Sequence, residues 1–200
     1  PGLSLTMGLA ELSSRNMVSG TARVMDAMMQ LFKLYFGAFL GISLGYQLFG
    51  VQELVPITKL TGWVPWLGVL MLSVGLVAIF RTRMKHVLWA ITSTFIAYGA
   101  STLSSAYLEN GLGAFVGAFA LGVFANMFSR IANAPSTIVA MHGLIVLVPG
   151  SKTYIGLNSF VSGQDVLNAE HLGQETFLIL MSLIAGLIFA NVLMPTKKAL

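Results

Sequence analysis

The chain has 200 residues, 56% of them hydrophobic and 9% charged, with a mean hydropathy of +0.83, against about 25% charged in an ordinary soluble domain. Such a composition excludes a soluble globule and reads as an all-α polytopic membrane protein, because apolar runs cross lipid as helices. The net charge of +4 lies mostly in short connections and at the C-terminus, where it reports orientation and argues against nucleic-acid binding; the absence of cysteine excludes disulfides and thiolate metal sites.

The chain opens on Pro1-Gly2, and residues 1–27 place Glu11, Arg15, Arg23 and Asp26 among polar side chains where a cleavable signal would have a basic region and an apolar core. The opening proline makes a fragment or a processed product the expectation. A membrane helix needs about 20 mainly apolar residues. Six stretches are candidates: 27–49, 64–80, 87–105, 111–128, 137–148 and 176–194. Pro56, Pro65, Pro135 and Pro195 stand at or near their ends, where a missing N–H does least harm. Residues 50–63 form a polar linker, which divides the chain into 1–49 and a five-helix portion over 64–200. The fifth stretch stops at Pro149-Gly150, so a helix end at Val148 or Pro149 is predicted. Residues 151–173 are polar, with Tyr154, Leu157, Phe160 and Val161 at helical intervals, and read as a short amphipathic or re-entrant segment.

The most informative pattern is a duplication: Pro1-Gly2-x5-Gly8-Leu9 and Pro149-Gly150-x5-Gly156-Leu157. Broken helices persist at membrane depth only where the freed backbone is buried in protein or faces water. In transporters, paired interruptions point to the substrate site. The basic run Arg81-Thr82-Arg83-Met84-Lys85-His86 favours the cytoplasm. Alternation then puts Arg15, Arg23, Arg130, Lys197 and Lys198 on the same side, with Lys59 and Lys152 as lone exceptions. The helix after the first signature leaves the cytoplasm and the helix after the second returns to it, so an inverted-topology repeat is expected.

Small residues recur every fourth position at Gly37, Gly41 and Gly45 and again at Gly113 and Gly117, the pattern that lets membrane helices approach. His142 is an ionisable group inside an apolar stretch, able either to carry a proton or to rest as a neutral, hydrogen-bonded side chain. Lys33 lies near enough to a span end to snorkel. Ser19 could cap the following helix. Arg23 and Asp26 share a helix face, as a surface ion pair or with Arg23 holding a carboxylate through its fork. Around the signatures, Ser4, Thr6, Glu11, Ser13 and Ser14 at the first and Ser151, Lys152, Thr153, Asn158, Ser159, Ser162, Gln164 and Asp165 at the second could meet a small zwitterion or satisfy freed backbone.

Catalytic patterns are weak. Gly150-Ser151-Lys152-Thr153 departs from a phosphate loop by an intervening Ser, and His-Glu-x-x-His is absent. Glu170, His171 and Glu175 are explained by a hydrated loop, so neither a metal nor a cofactor is expected. An intramembrane hydrolase would need a serine within reach of a base such as His142.

Pro1-Gly2-Leu3-Ser4-Leu5-Thr6 with Ser19-Gly20-Thr21-Ala22-Arg23 resembles the end of the first membrane repeat of the threonine/serine exporter family. Leu147-Val148-Pro149-Gly150-Ser151, with Tyr154 soon after, resembles the mark of its second repeat. The resemblance implies a secondary transporter of two related five-helix halves, probing no enzyme chemistry, that exports small hydroxy amino acids on the proton gradient, in the plasma or inner membrane. With the residue reading above, the candidate substrate site is Pro1, Gly2, Ser4, Thr6, Ser19, Arg23, Pro149, Gly150, Ser151 and Thr153, and His142 and Asp165 are the proton-coupling candidates. Full-length relatives carry a soluble domain and further helices before the first signature. The expected partners are therefore the substrate, protons, the bilayer, and either the missing first half or a second copy. A non-transporting membrane subunit is the competing reading.

Overall fold

The computed structural model describes residues 2–13, 16–50, 62–108, 111–148, 150 and 166–195. Among them the regular structure is helical: α1 (Gly2–Ser13), α2 (Met17–Phe49), α3 (Val64–Ile79), α4 (Met84–Ser105), α5 (Leu112–Ala132), α6 (Thr137–Leu147) and α7 (Val166–Leu193). By length and composition α2, α4, α5 and the Glu175–Leu193 part of α7 can cross a membrane, while α3 and α6 are shorter apolar helices. The chain divides into two compact units, residues 1–62 with 150–173 and residues 63–149 with 174–200.

In the first unit α1 and α2 pack together as a helical hairpin. Gly8 is required at their crossing, since a Cβ there would lie 2.8 Å from Val24 Cγ2 and 3.0 Å from the Gly20 carbonyl oxygen. Helix α1 is described from Gly2, and the chain turns at Asn16 before α2. One boundary corrects the sequence reading: α2 begins at Met17, ahead of the apolar window at 27, because exposed helix formers such as Met, Ala and Arg continue the helix without needing apolar burial. The string Gly41-Ile42-Ser43-Leu44-Gly45 has the spacing of a hydrolase nucleophile elbow, but it lies inside α2 and not at a strand-to-helix turn.

The second unit is built on α5, which packs against α4 and α6. A Cβ on Gly117 would meet Leu147 Cδ2 and Ser101 Cβ at 2.9 Å and the Ala97 carbonyl at 3.0 Å, so this small-residue stripe is a close helix crossing. Gly37, Gly41 and Gly45 have no described atom within 4 Å of a Cβ. Ala125, Phe128 and Val139 form a core with Trp89, Phe124 and Ile138 around them. Trp66 ties α3 to α4, stacked 6.3 Å from Phe95 and edge-on 5.0 Å from Tyr98. At the end of α5, Asn133 takes the left-handed conformation (φ 53°) and Pro135 follows, a helix stop written in two residues.

The predicted end of the fifth span is observed. Helix α6 stops at Leu147, and Val148 is extended (φ −68°, ψ 126°), the conformation that a following proline imposes. Helix α7 begins at Val166, ten residues ahead of the expected 176, so the polar run that precedes the apolar window is partly helical. Pro149 and residues 151–165 lie outside the described residues.

Candidate functional site

The first unit brings two opposite charges together. Arg23 projects from the second turn of α2 and its Nε lies 2.8 Å from Glu11 Oε1 near the end of α1. The pair exists because the chain reverses at Asn16, whose N–H is bonded to the Glu11 carbonyl (2.9 Å) and whose own carbonyl accepts from Gly20 N–H (3.0 Å). Arg23 is about half exposed and Glu11 about a quarter. The second carboxylate oxygen, Oε2, is buried without a hydrogen-bond partner.

The other residues expected around the first signature serve the backbone. Thr6 is buried and donates to the Gly2 carbonyl at 3.1 Å. Ser4 is partly buried on the same helix. Ser19 is not a cap: it lies inside the first turn of α2, and its hydroxyl reaches the Asn16 carbonyl at 3.5 Å. Arg23 does not pair with Asp26, because the α1 carboxylate is within its reach and Asp26 accepts from Gln30 one turn later at 2.7 Å. Lys33 is exposed. Pro1 lies outside the described residues.

The second unit places His142, fully buried, against the turn between α3 and α4. That turn closes α3 with a Schellman motif: Thr82 N–H bonds to the Val77 carbonyl (3.0 Å) and Arg81 N–H to the Ala78 carbonyl (3.2 Å), with Arg81 left-handed at φ 48°. The motif aims Thr82 at α6. His142 Nδ1 lies 2.8 Å from the Ile138 carbonyl, which can only accept, so this nitrogen carries the hydrogen. In the neutral ring Nε2 is then the acceptor, and the Thr82 hydroxyl donates to it across 3.2 Å. Phe80 meets the imidazole edge-on at 5.1 Å. Both ring nitrogens are therefore used within the helix bundle, which is the hydrogen-bonded arrangement that a buried polar group requires.

Polar side chains also join the ends of α5 and α7. Buried Asn126 donates to Asn191 Oδ1 (2.9 Å) and to the Met194 carbonyl (2.7 Å), while Arg130 donates to the Pro195 carbonyl (2.8 Å). These bonds satisfy carbonyls that the end of α7 would leave open. Asn126→Ala is expected to destabilise the unit by about 1–2 kcal/mol, given the modest worth of interhelical hydrogen bonds in membranes, measured as a lower thermal transition in detergent. An unchanged transition would mean that the two bonds have equally good replacements.

Of the second signature, Gly150 is described and partly buried, and a Cβ on it would meet nothing within 4 Å. Pro149, Ser151, Thr153 and Asp165 lie outside the described residues. Among the described residues no group of three or more metal-ligating side chains occurs. Sequence reasoning placed Glu11 among the polar residues around the first signature without pairing it with Arg23, and it did not single out Thr82.

The family described as Threonine/Serine exporter, ThrE, matches residues 66–193, and a second family described as Putative threonine/serine exporter matches residues 1–45. The chain is 30% identical over 159 residues to Pheromone-regulated membrane protein 10 of Eremothecium gossypii, covering 74% of this chain and 21% of that protein. It is 26% identical over 177 residues to the protein of that name in Kluyveromyces lactis, covering 84% of this chain and 18% of the relative. The corresponding figures for Saccharomyces cerevisiae S288c are 26% over 182 residues, 88% of this chain and 46% of the relative. The chain thus spans from under a fifth to under half of the length of these relatives. No solved structure matches it. With one family match covering most of the chain, and helices apolar and long enough to span a bilayer, this integral membrane protein belongs to the threonine/serine exporter family.

Proposed function

We propose that the chain forms part of a secondary transporter that exports threonine and serine, driven by the proton gradient across the plasma or inner membrane. The observation that carries this reading is the Glu11–Arg23 pair, an ion pair held between two packed helices and beside the first Pro-Gly signature, in a member of an exporter family. A guanidinium fork suits a substrate carboxylate, because two parallel N–H donors match its two oxygens. Pro1, Gly2, Ser4, Thr6 and Ser19, with the second signature's Pro149, Gly150, Ser151 and Thr153, complete the proposed substrate site. An inverted repeat would bring the two signatures together from opposite sides of the membrane.

Proton coupling needs a titrating group on the path, and His142 and Asp165 are proposed for it. Charging His142 makes both ring nitrogens donors, so the Thr82 hydroxyl must turn to accept, and the α3–α4 turn is thereby linked to the protonation state of α6. The test uses the protein in liposomes with an imposed pH difference and labelled threonine. Accumulation that a protonophore abolishes is expected, and His142→Ala or Asp165→Asn should flatten its pH profile. No threonine movement under any imposed gradient would overturn the reading.

A further inference from the structure

The turn between α3 and α4 alternates in burial. The Thr82 hydroxyl is bonded to His142 (3.2 Å), and His86 is buried with its ring edge-on to Phe128 at 5.2 Å. Arg81, Arg83 and Lys85, which alternate with these two, are exposed. None of the three side chains has a hydrogen bond or ion pair with another described residue. The backbone that carries them is held on both sides. Arg81 is left-handed within the Schellman closure of α3, and His86 N–H bonds to the Arg83 carbonyl at 2.8 Å. Three cations thus leave a backbone that is already ordered, which lowers the cost of meeting an anion there.

Within this unit the positive charge stands unbalanced. Arg130, exposed at the end of α5, adds a fourth cation at the same end, because Phe128 on its own helix meets both His86 and Trp89. The acids in the sequence of this unit are Glu109 and Glu175. Glu109 comes after the opposite end of α4. Glu175 is one turn from Ile179, which packs on Gly111 at the opposite end of α5. Lys197 and Lys198 lie outside the described residues and carry the same sign as the turn.

Depth and apolar neighbours indicate which anion suits the turn. Helix α3 has 16 residues, about 24 Å of rise, less than the roughly 30 Å of a hydrocarbon core. Its start carries Trp63 and Trp66, both exposed, the residue type that anchors at a membrane interface. With that end anchored, the basic turn at the other end reaches no further than the lipid headgroups. Met84 is 89% exposed and Leu88 78%, so apolar surface runs directly from the cations into the bilayer. A soluble anion gains nothing from that surface. A phospholipid offers a phosphate at the level of the turn and acyl chains below it. A basic turn also favours the cytoplasmic side, whose leaflet carries the anionic lipids.

We infer that the α3–α4 turn binds anionic phospholipid, with Arg81, Arg83 and Lys85 on the headgroup and Met84 and Leu88 along the acyl chains. The inference goes beyond the transport reading and stands without it.

The chain has no cysteine, so Leu88→Cys takes a single fluorescent label beside the turn. Leu103→Cys, 69% exposed near the other end of α4, is the distal control. The full chain is placed in phosphatidylcholine nanodiscs containing a minor fraction of acyl-brominated phosphatidylglycerol or, at the same fraction, acyl-brominated phosphatidylcholine. Both leaflets then share one composition, and the direction of insertion does not matter. Brominated phosphatidylglycerol should quench the label at 88 as though locally enriched roughly tenfold, and the label at 103 should not distinguish the two lipids. Arg81→Gln, Arg83→Gln and Lys85→Gln should each lower the enrichment roughly two- to threefold, and added salt should weaken it. The triple variant should abolish it. Equal enrichment at both labels, or enrichment at 88 that survives in the triple variant, would overturn the inference and leave the cations as orientation signals. Should the triple variant fail to fold, the single variants and the salt series decide, and indifference to all of them overturns the inference equally. Inorganic phosphate should displace the lipid no better than chloride at equal ionic strength. Selective displacement by phosphate would assign the turn to a soluble anion and overturn the lipid reading.

Discussion

Gly186→Leu is expected to leave almost no folded protein. A Cβ at this position would lie 2.5 Å from the Phe115 carbonyl oxygen, 2.8 Å from Ala118 Cβ and 2.9 Å from the Phe119 nitrogen. Two of these three are backbone atoms of α5, which cannot step aside as a side-chain tip can. Helices α5 and α7 would have to separate, losing the packing of Leu183 and Ala190, both fully buried. Membrane helices gain little from lipid avoidance between apolar surfaces and depend on this kind of close approach. The overpacking cost is put at roughly 3 kcal/mol or more. Gly186→Ala should show a smaller loss in the same direction. Gly75→Leu is the control, since a Cβ at Gly75 meets nothing within 4 Å and the residue is exposed. The measurement is the yield of monodisperse protein in detergent and its thermal transition. A Gly186→Leu protein as stable as the control would show that the α5–α7 crossing is looser than the geometry requires.

The helices themselves were legible because each apolar stretch is long relative to anything a soluble chain needs. Every stretch read as a span falls on a helix, and the stop before Pro149 was readable because proline restricts its predecessor whatever the surroundings. Helix starts were not, as α2 and α7 show. Hydropathy reports where lipid-like surface begins, while the backbone needs only the absence of a breaker to continue further. Helix α1 was missed for the same reason: its Ser4, Thr6 and Glu11 dilute the apolar signal, yet Gly8 gives it a close-packed seat on α2.

The site was half legible. Arg23 and His142 stand out in the sequence as charged or titratable groups near apolar runs. Their partners do not, because pairing is decided by folding back. Asp26 is the nearer acid along the chain, but Glu11 is the one that the turn at Asn16 brings to 2.8 Å. Thr82 reads as part of a basic orienting loop, and only the Schellman closure of α3 directs its hydroxyl onto His142. Local propensity carries no information about which of two polar side chains a neighbouring helix will meet.

Arg23→Ala is expected to reduce threonine affinity by roughly 10–100-fold, the worth of about 1.5–3 kcal/mol for hydrogen bonds to a charged group. The figure stays at this level, below that of a fully buried ion pair, because Arg23 is half exposed and solvent screens part of the interaction. Truncation also removes the counter-ion of Glu11, so a loss of affinity alone would not separate contact with substrate from support of the hairpin. Two further measurements do. Arg23→Lys keeps the charge and lacks the planar fork, and should recover only part of the affinity. L-threoninol, which has no carboxylate, should bind the wild type and Arg23→Ala within a few-fold of each other if the guanidinium meets the substrate carboxylate. Equal losses for threonine and threoninol would instead assign Arg23 to holding α1 and α2 together, and full recovery in Arg23→Lys would show that charge without geometry is enough.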